Sequence, residues 1–474
     1  MLGQRSKIDS RILKHLESIT PTLWWLDEDP LEPEWRNCLI GSVTTDLCIV
    51  GGGYTGLWTA LLAKEENPNR RVIILEARET GWGASGRNGG FCNTSLTHGF
   101  MNGYARFKEE MEILERLGRE NLDAIEATIK KYKIECDWQR NGEIKVATAP
   151  WQYEEMQTEA DLRNSFGDHV TVLNRDEIQE YISSPTFYGA LLDHDGTALL
   201  DPARLVWGLE KACLSLGVEI YENSKVLKLS KFNGVIKVET DFGEVFAPKV
   251  AVATNVHTDL IRQARKYVAP VYDYQIVTEP LTKNQLKSLG WKNREGLSDG
   301  GYQFHYYRLT SDNCILWGGY DAIYNFRSKI SQDLEWRAET YANLVTDFLE
   351  TFPQLEGIRF THAWGGAIDT CTRFSPFWGK AHNGQVVYVA GFTGLGVAAT
   401  RFGAQVMLDI LDQKDSERTR LEMVKKKPWP FPPEPFRYFF IQITKWSMQR
   451  ADRHEGKPNL WLKILDLLGL GFDS

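Results

Sequence analysis

The sequence has no run of about twenty unbroken apolar residues, and its opening MLGQRSKIDS lacks the apolar core of a secretory signal. Neither a spanning helix nor a leader is expected from that pattern. A cysteine framework is missing as well. Cys38, Cys48, Cys92, Cys136, Cys213, Cys314 and Cys371 are odd in number, scattered and without a CxxC pair, which argues against disulfides and against a zinc site. Reduced, buried thiols and no metal are expected. Positive charge is in deficit: 55 Lys and Arg face 63 Asp and Glu, a net −8. No overall basic field exists to hold nucleic acid or an anionic membrane. No period of roughly 20–50 residues repeats, which sets aside solenoids and propellers. The expectation is a soluble, cytoplasmic protein with no nucleic-acid partner.

What is present begins with size. A chain of 474 residues, 42% hydrophobic, can bury two cores. Asp46-Leu47-Cys48-Ile49-Val50 is a continuous apolar run of the kind buried in a parallel sheet. Gly51, Gly53 and Gly56 follow as G-x-G-x-x-G around Tyr54 and Thr55, and Leu57, Ala60, Leu61 and Ala63 then recur near helical spacing. The glycines permit a tight turn and a close approach of backbone to a pyrophosphate, and the helix start offers free N–H groups to the anion. A second buried strand, Val72–Leu75, ends in Glu76, whose carboxylate can accept hydrogen bonds from a ribose and would repel a 2′-phosphate. The motif predicts a dinucleotide site without choosing between FAD and NAD.

After Glu76 come Ala77, Arg78 and, a few residues on, Gly83-Ala84-Ser85-Gly86-Arg87-Asn88-Gly89-Gly90. This segment resembles the flavoproteins of the glycine oxidase and D-amino-acid oxidase family, which share an S-G-R-N-G-G segment near the flavin. Glycines there let the chain pass close to a flat ring, and Arg87 and Asn88 can hydrogen-bond the cofactor. Near the C-terminus Val386–Ala390 reads as a buried strand, followed by Gly391-Phe392-Thr393-Gly394-Leu395-Gly396 and an apolar helix. That segment is similar to the family's last flavin contact. A helix N-terminus aimed at the flavin N1–C2=O edge would stabilise the charge appearing there on reduction. No acid-ending strand follows it, so a separate NAD site is rejected.

The resemblance extends through Asp201-Pro202-Ala203-Arg204-Leu205, Ala251-Val252-Ala253-Thr254-Asn255, and Trp364-Gly365-Gly366 with Thr372, Arg373 and Pro376. It is nearest the gamma-glutamylputrescine oxidoreductase-like subgroup, through Tyr274-Gln275-Ile276-Val277-Thr278-Glu279-Pro280-Leu281 and Tyr307-Arg308-Leu309-Thr310. It implies cofactor contacts at Val226, Ala253, Thr254, Asn255 and Arg373 besides those above. Some relatives attach flavin through a cysteine; here the matching position falls near Ala367, so non-covalent FAD is expected and Cys371 reads as buried and inert.

The fold class implied is α/β: a Rossmann-type, glutathione reductase-like FAD domain with a second domain of antiparallel or mixed sheet and helices over the substrate. The FAD domain is expected as 45–100, 190–262 and 360–414, the substrate domain as 101–189 and 263–359, with extensions at 1–44 and 415–474. The stretches 270–280 and 301–320 should form a sheet roofing the flavin. The activity implied is oxidation of the C–N bond of an amine or amino acid to an imine by hydride transfer to flavin N5, with oxygen or another acceptor taking the electrons. The alternatives are oxidation of a hydroxy acid or other CH–OH substrate, and a flavin-binding assembly protein without turnover.

The catalytic candidates are His98, Tyr306, Arg308 and Trp364, with Tyr307 considered beside them. His98 could act near the substrate or hold its own loop. Arg308 could pair a substrate carboxylate or a surface acid. By alternation His305 and Tyr307 share one face and Tyr306 and Arg308 the other, so only one pair can face the flavin. Tyr306 and Trp364 could cage a cationic amine or serve only in packing. In the tail, Phe436-Arg437-Tyr438-Phe439-Phe440-Ile441 and 460–468 are expected to pack on their own domain, without membrane contact.

Overall fold

The computed structural model describes residues 10–23 and 37–471; the opening MLGQRSKIDS up to residue 9, and much of the expected N-terminal extension, lie outside the described residues. Leu47–Val50 is buried at all four positions and is central in a six-stranded sheet. Its order is Phe377–Ala381, Val386–Ala390, Lys249–Val252, Leu47–Val50, Val72–Leu75, Glu219–Tyr221. All neighbours run parallel except the hairpin of the first two.

Such a sheet must be covered on both faces, and its side chains alternate between them. Leu47 and Ile49 pack into the core under helices Tyr54–Glu66, Pro202–Ser215 and Gly396–Leu411. Cys48 and Val50 meet Ile236, Val238 and Val245 of a small second sheet. That four-stranded layer contains Gly41–Thr44, so residues 41–44 are an edge strand paired in parallel with Gly243–Ala247.

The roof is a nine-stranded mixed sheet built around Ala269–Thr278, His305–Leu309, Ile315–Gly319 and Gly296–Asp299. On one face Tyr272, Tyr274, Tyr307 and Trp317 pack under helix Ala338–Thr351 through Tyr341, Val345 and Phe348. Two strands from segments expected in the FAD domain pair in the roof instead, one of them, Gly189–Asp193, crossing a boundary drawn from sequence. Phe360–Thr370 pairs with Ala269–Thr278 along its length, and Gly189–Asp193 lies between Glu143–Ala147 and Val170–Leu173. A ladder partner decides where a strand belongs, and these partners lie in the roof.

The tail folds back over the molecule. Phe431 N donates to Lys266 O (2.8 Å), and Asp452 accepts from Tyr302 N and Gln303 N (2.9 and 3.1 Å). No described helix is long and apolar enough to cross a membrane.

Candidate active site

A single cavity of about 1310 Å³ runs from the glycine turn after Val50 to the inner face of the roof. Gly51, at φ +108°, could not carry a side chain: a Cβ would lie 2.4 Å from Ala253 O. A Cβ on Gly56 would lie 1.9 Å from Gly51 O, so this glycine lets the helix sit against the turn rather than lining the cavity. Gly53, Tyr54 and Thr55 present the first helical turn to the cavity. The Ser85 hydroxyl accepts from Tyr54 N at 2.9 Å.

Glu76 accepts from Gly52 N (2.6 Å) and Arg78 N (3.0 Å), and burial raises its pKa against those donors. It lines the same end as Ala77, Arg78, Val226, Ala253, Thr254 and Asn255.

The loop 83–90 is closed by its own side chains and hung from the roof. Asn88 Nδ2 donates to Ala84 O and Ser85 O (3.1 and 2.8 Å), and its Oδ1 accepts from Gly90 N at 2.9 Å. Arg87 reaches Trp82 O at 3.0 Å and Glu335 Oε2 at 3.0 Å. Gln275 Nε2 and Trp364 Nε1 both donate to Arg87 O (3.0 and 2.9 Å), and Arg308 Nε donates to Gly89 O at 2.7 Å. Gly83, Ala84, Ser85, Arg87, Asn88 and Gly89 line the cavity, whereas Gly90 turns behind it at φ +79°.

At the other wall Asp369 accepts from Gly391 N (2.6 Å) and Thr393 N (3.4 Å), and burial lifts its pKa to about 6. This carboxylate sets the turn into helix Gly396–Leu411, where Thr393, Gly394, Leu395 and Gly396 line the cavity and Gly391 makes the corner behind it.

The catalytic candidates separate. His98 lines the cavity in a left-handed conformation (φ 60°); burial, then the Arg106 charge, lowers its pKa to about 4, so it is a neutral imidazole. Tyr306 lines the cavity and donates to Asp273 Oδ2 at 2.6 Å. Tyr307 faces the opposite core, as alternation requires. The structure does not bring Arg308, Trp364 or Arg373 to the cavity surface. Arg308 Nε and Trp364 Nε1 donate to loop carbonyls, and the Arg373 guanidinium is consumed by Ser375 O, Pro376 O, Met423 O and Lys426 O. Cys371 Sγ donates to Ser375 O at 3.2 Å and burial raises its pKa. Although Cys371 borders the cavity, a buried thiol so placed is a poor nucleophile, and Ala367, which also lines the cavity, stands where the attaching cysteine would be expected.

Asp273 was not singled out from sequence. Along Ala269–Thr278 the cavity takes Ala269, Val271, Asp273 and Gln275, while Tyr274 and Ile276 enter the other core and Tyr272, packed in that core, also borders the cavity. The period-2 signal was there: a carboxylate at an inward position of a buried strand asks for an explanation. Burial raises its pKa to about 6, against the Tyr306 donor that lowers it. The tail contributes Phe440, Ile441, Thr444, Lys445 and Met448 to the same cavity, which the sequence did not suggest.

The cavity fits a dinucleotide with a ring system. It has a glycine cradle that a Cβ would fill, a helix start, and an acid at the second strand end. Asn255 Oδ1 and Gln275 Oε1 are buried without a hydrogen-bond partner, and both residues line it; such atoms call for a bound polar group. Among the described residues no group of three His, Cys, Asp or Glu is arranged to hold a metal.

Comparison with known proteins agrees. The family model for FAD dependent oxidoreductases (DAO) matches residues 46–410. Gamma-glutamylputrescine oxidoreductase of Escherichia coli is 32% identical over 392 residues, spanning 80% of this chain and 85% of that protein. A probable oxidoreductase, OrdL, of Haemophilus influenzae is 27% identical over 391 residues, 80% of this chain and 86% of that one. Glycine oxidase from Geobacillus kaustophilus shares the fold, with TM-score 0.66 at 19% identity, covering 79% of this chain and 96% of its own.

Proposed function

Because the chain belongs to the FAD dependent oxidoreductase (DAO) family, we propose that it oxidises the C–N bond of a small cationic amine or amino acid to the imine. FAD is its cofactor, and when bound supplies the two-electron acceptor. The ADP half falls to Gly51, Gly53, Tyr54, Thr55, Glu76, Ala77, Arg78, Val226 and residues 253–255. The ring end falls to the loop 83–90 and the turn 391–396.

The observation that carries the amine reading is the Asp273–Tyr306 pair, a carboxylate and a phenol 2.6 Å apart in the cavity wall. With its pKa raised to about 6, Asp273 is ionised at neutral pH. In a site shielded from water a carboxylate attracts an ammonium group and can take up a proton that the amine releases. Phe91 and Phe374 add apolar walls, and His98, neutral at pH 7, can accept or donate a hydrogen bond without repelling the cation. Arg308 and Trp364 act one step back, fixing the carbonyls of Gly89 and Arg87.

The 32% identity to a gamma-glutamylputrescine oxidoreductase supports an amine-bearing substrate. The acceptor that reoxidises the cofactor is oxygen or another oxidant. The test is anaerobic mixing of the holoprotein with polyamines, N-methylated amines, amino acids and hydroxy acids. Loss of the visible flavin band with an amine is the expected result. Loss with hydroxy acids alone would contradict the proposal, as would a flavin that none of the compounds reduces.

A further inference from the structure

We propose that the two C-terminal helices dock this protein on an anionic lipid surface. The tail, 415–474, lies beyond residue 410, where the family match ends, and its two main helices, Phe436–Arg453 and Leu460–Leu467, have two working sides. The inner side is ordinary packing: Leu462 and Leu465 join Ala451, and Phe440 and Ile441 reach the cavity.

The outer side is not covered. Phe436, Phe439, Ile443 and Trp446 recur at helical spacing, and the two phenylalanines and the tryptophan are 67%, 58% and 59% exposed. On the second helix Leu460, Ile464 and Leu467 are exposed, Leu467 to 87%. Among the described residues more than half of the exposed large apolar side chains fall between Trp429 and Leu468. Monomeric proteins in water rarely leave so many together.

Charge identifies the occupant. From residue 425 to 474 nine Lys and Arg face five Asp and Glu, in a chain whose overall sign is negative. Arg453 and Lys463 are exposed on these helices and Lys425 and Lys427 ahead of them in the chain, against Glu455 and Asp466 as the exposed acids of the same stretch among the described residues. An isologous contact with a second copy would set like basic residues against one another, which opposes dimerisation through this face. A lipid surface with negative headgroups satisfies both features: the aromatic and aliphatic side chains enter the headgroup–acyl boundary, and the bases meet the lipid charge. The expectation from sequence that these stretches pack on their own domain is met along the inner side, while the outer side is exposed.

The test uses the full-length, FAD-loaded protein in flotation with vesicles of phosphatidylcholine alone or mixed with phosphatidylglycerol. Binding to the mixed vesicles, weakened by salt, is expected. The double variant Phe439→Ser/Trp446→Ser, at exposed positions outside the cavity, should lower binding by at least ~10-fold with FAD content and Tm unchanged. Light scattering of the vesicle-free protein gives the competing occupant. No binding to either vesicle, binding that the double variant leaves intact, or a dimer that the variant dissolves would each overturn the proposal.

Discussion

Gly53 and Asp273 show opposite relations between a residue and its surroundings. Gly53 matters for the space it leaves: a Cβ there would stand 2.8 Å from Ser85 Oγ, the hydroxyl that accepts from Tyr54 N. Gly53→Val should therefore displace the loop 83–90 from the helix start, giving a folded protein by circular dichroism that purifies without FAD. Full FAD content in that variant would show that the turn does not meet the cofactor. Asp273 matters for a charge kept where solvent is scarce, a state that costs energy unless a ligand uses it. The turn chemistry of Gly53 is written in three neighbouring glycines, so it was legible in sequence. Asp273 acquires meaning only when its strand is placed over the cavity.

At the level of elements, strands and their alternation carried most of what sequence could give. Leu47–Val50 and Val72–Leu75 are legible because a strand buried on both faces has no polar position. The opposed faces of Tyr306 and Tyr307 likewise follow from the period of a strand. Which donors end on which acceptors was not legible. Arg308 and Trp364 lie on roof strands, yet Arg308 Nε and Trp364 Nε1 meet the carbonyls of Gly89 and Arg87, because the loop 83–90 rises into the roof. Strand ownership failed for a similar reason. Phe360–Thr370 neighbours the cofactor segments in sequence but hydrogen-bonds to Ala269–Thr278, and no local pattern reports a partner some ninety residues away.

The whole molecule is held by contacts that no motif announces. His305 lies between Asp299 (2.7 Å) and Asp347 (3.2 Å), stacked near Trp317 and Tyr320, and so ties the roof strands to helix Ala338–Thr351. Burial lowers its pKa, and the two carboxylates more than offset that, raising it to about 9. A histidine raised in the folded state contributes stability that is complete below its unfolded pKa of about 6.5 and is lost as pH rises through about 9. The contribution at neutral pH is on the order of 3 kcal/mol. Denaturant midpoints should fall between pH 7 and pH 9. His305→Gln should be less stable at pH 7 and nearly flat across that window; equal slopes in the two proteins would show that this cluster does not titrate there.

The same molecule-wide arrangement sets the dinucleotide cradle at one end of the cavity and Asp273 at the other, and the central claim is that a cationic amine is held between them. Its most direct test is the rate of anaerobic flavin reduction by the best amine as a function of pH, in the wild type and in Asp273→Asn. With Asp273 raised to about 6, the wild-type rate at limiting amine should fall as pH drops through that value and the carboxylate is neutralised. Asp273→Asn should keep its FAD, react about 10- to 100-fold more slowly at pH 7.5, and lack that acid limb. A variant as fast as the wild type, with the same limb, would contradict the account.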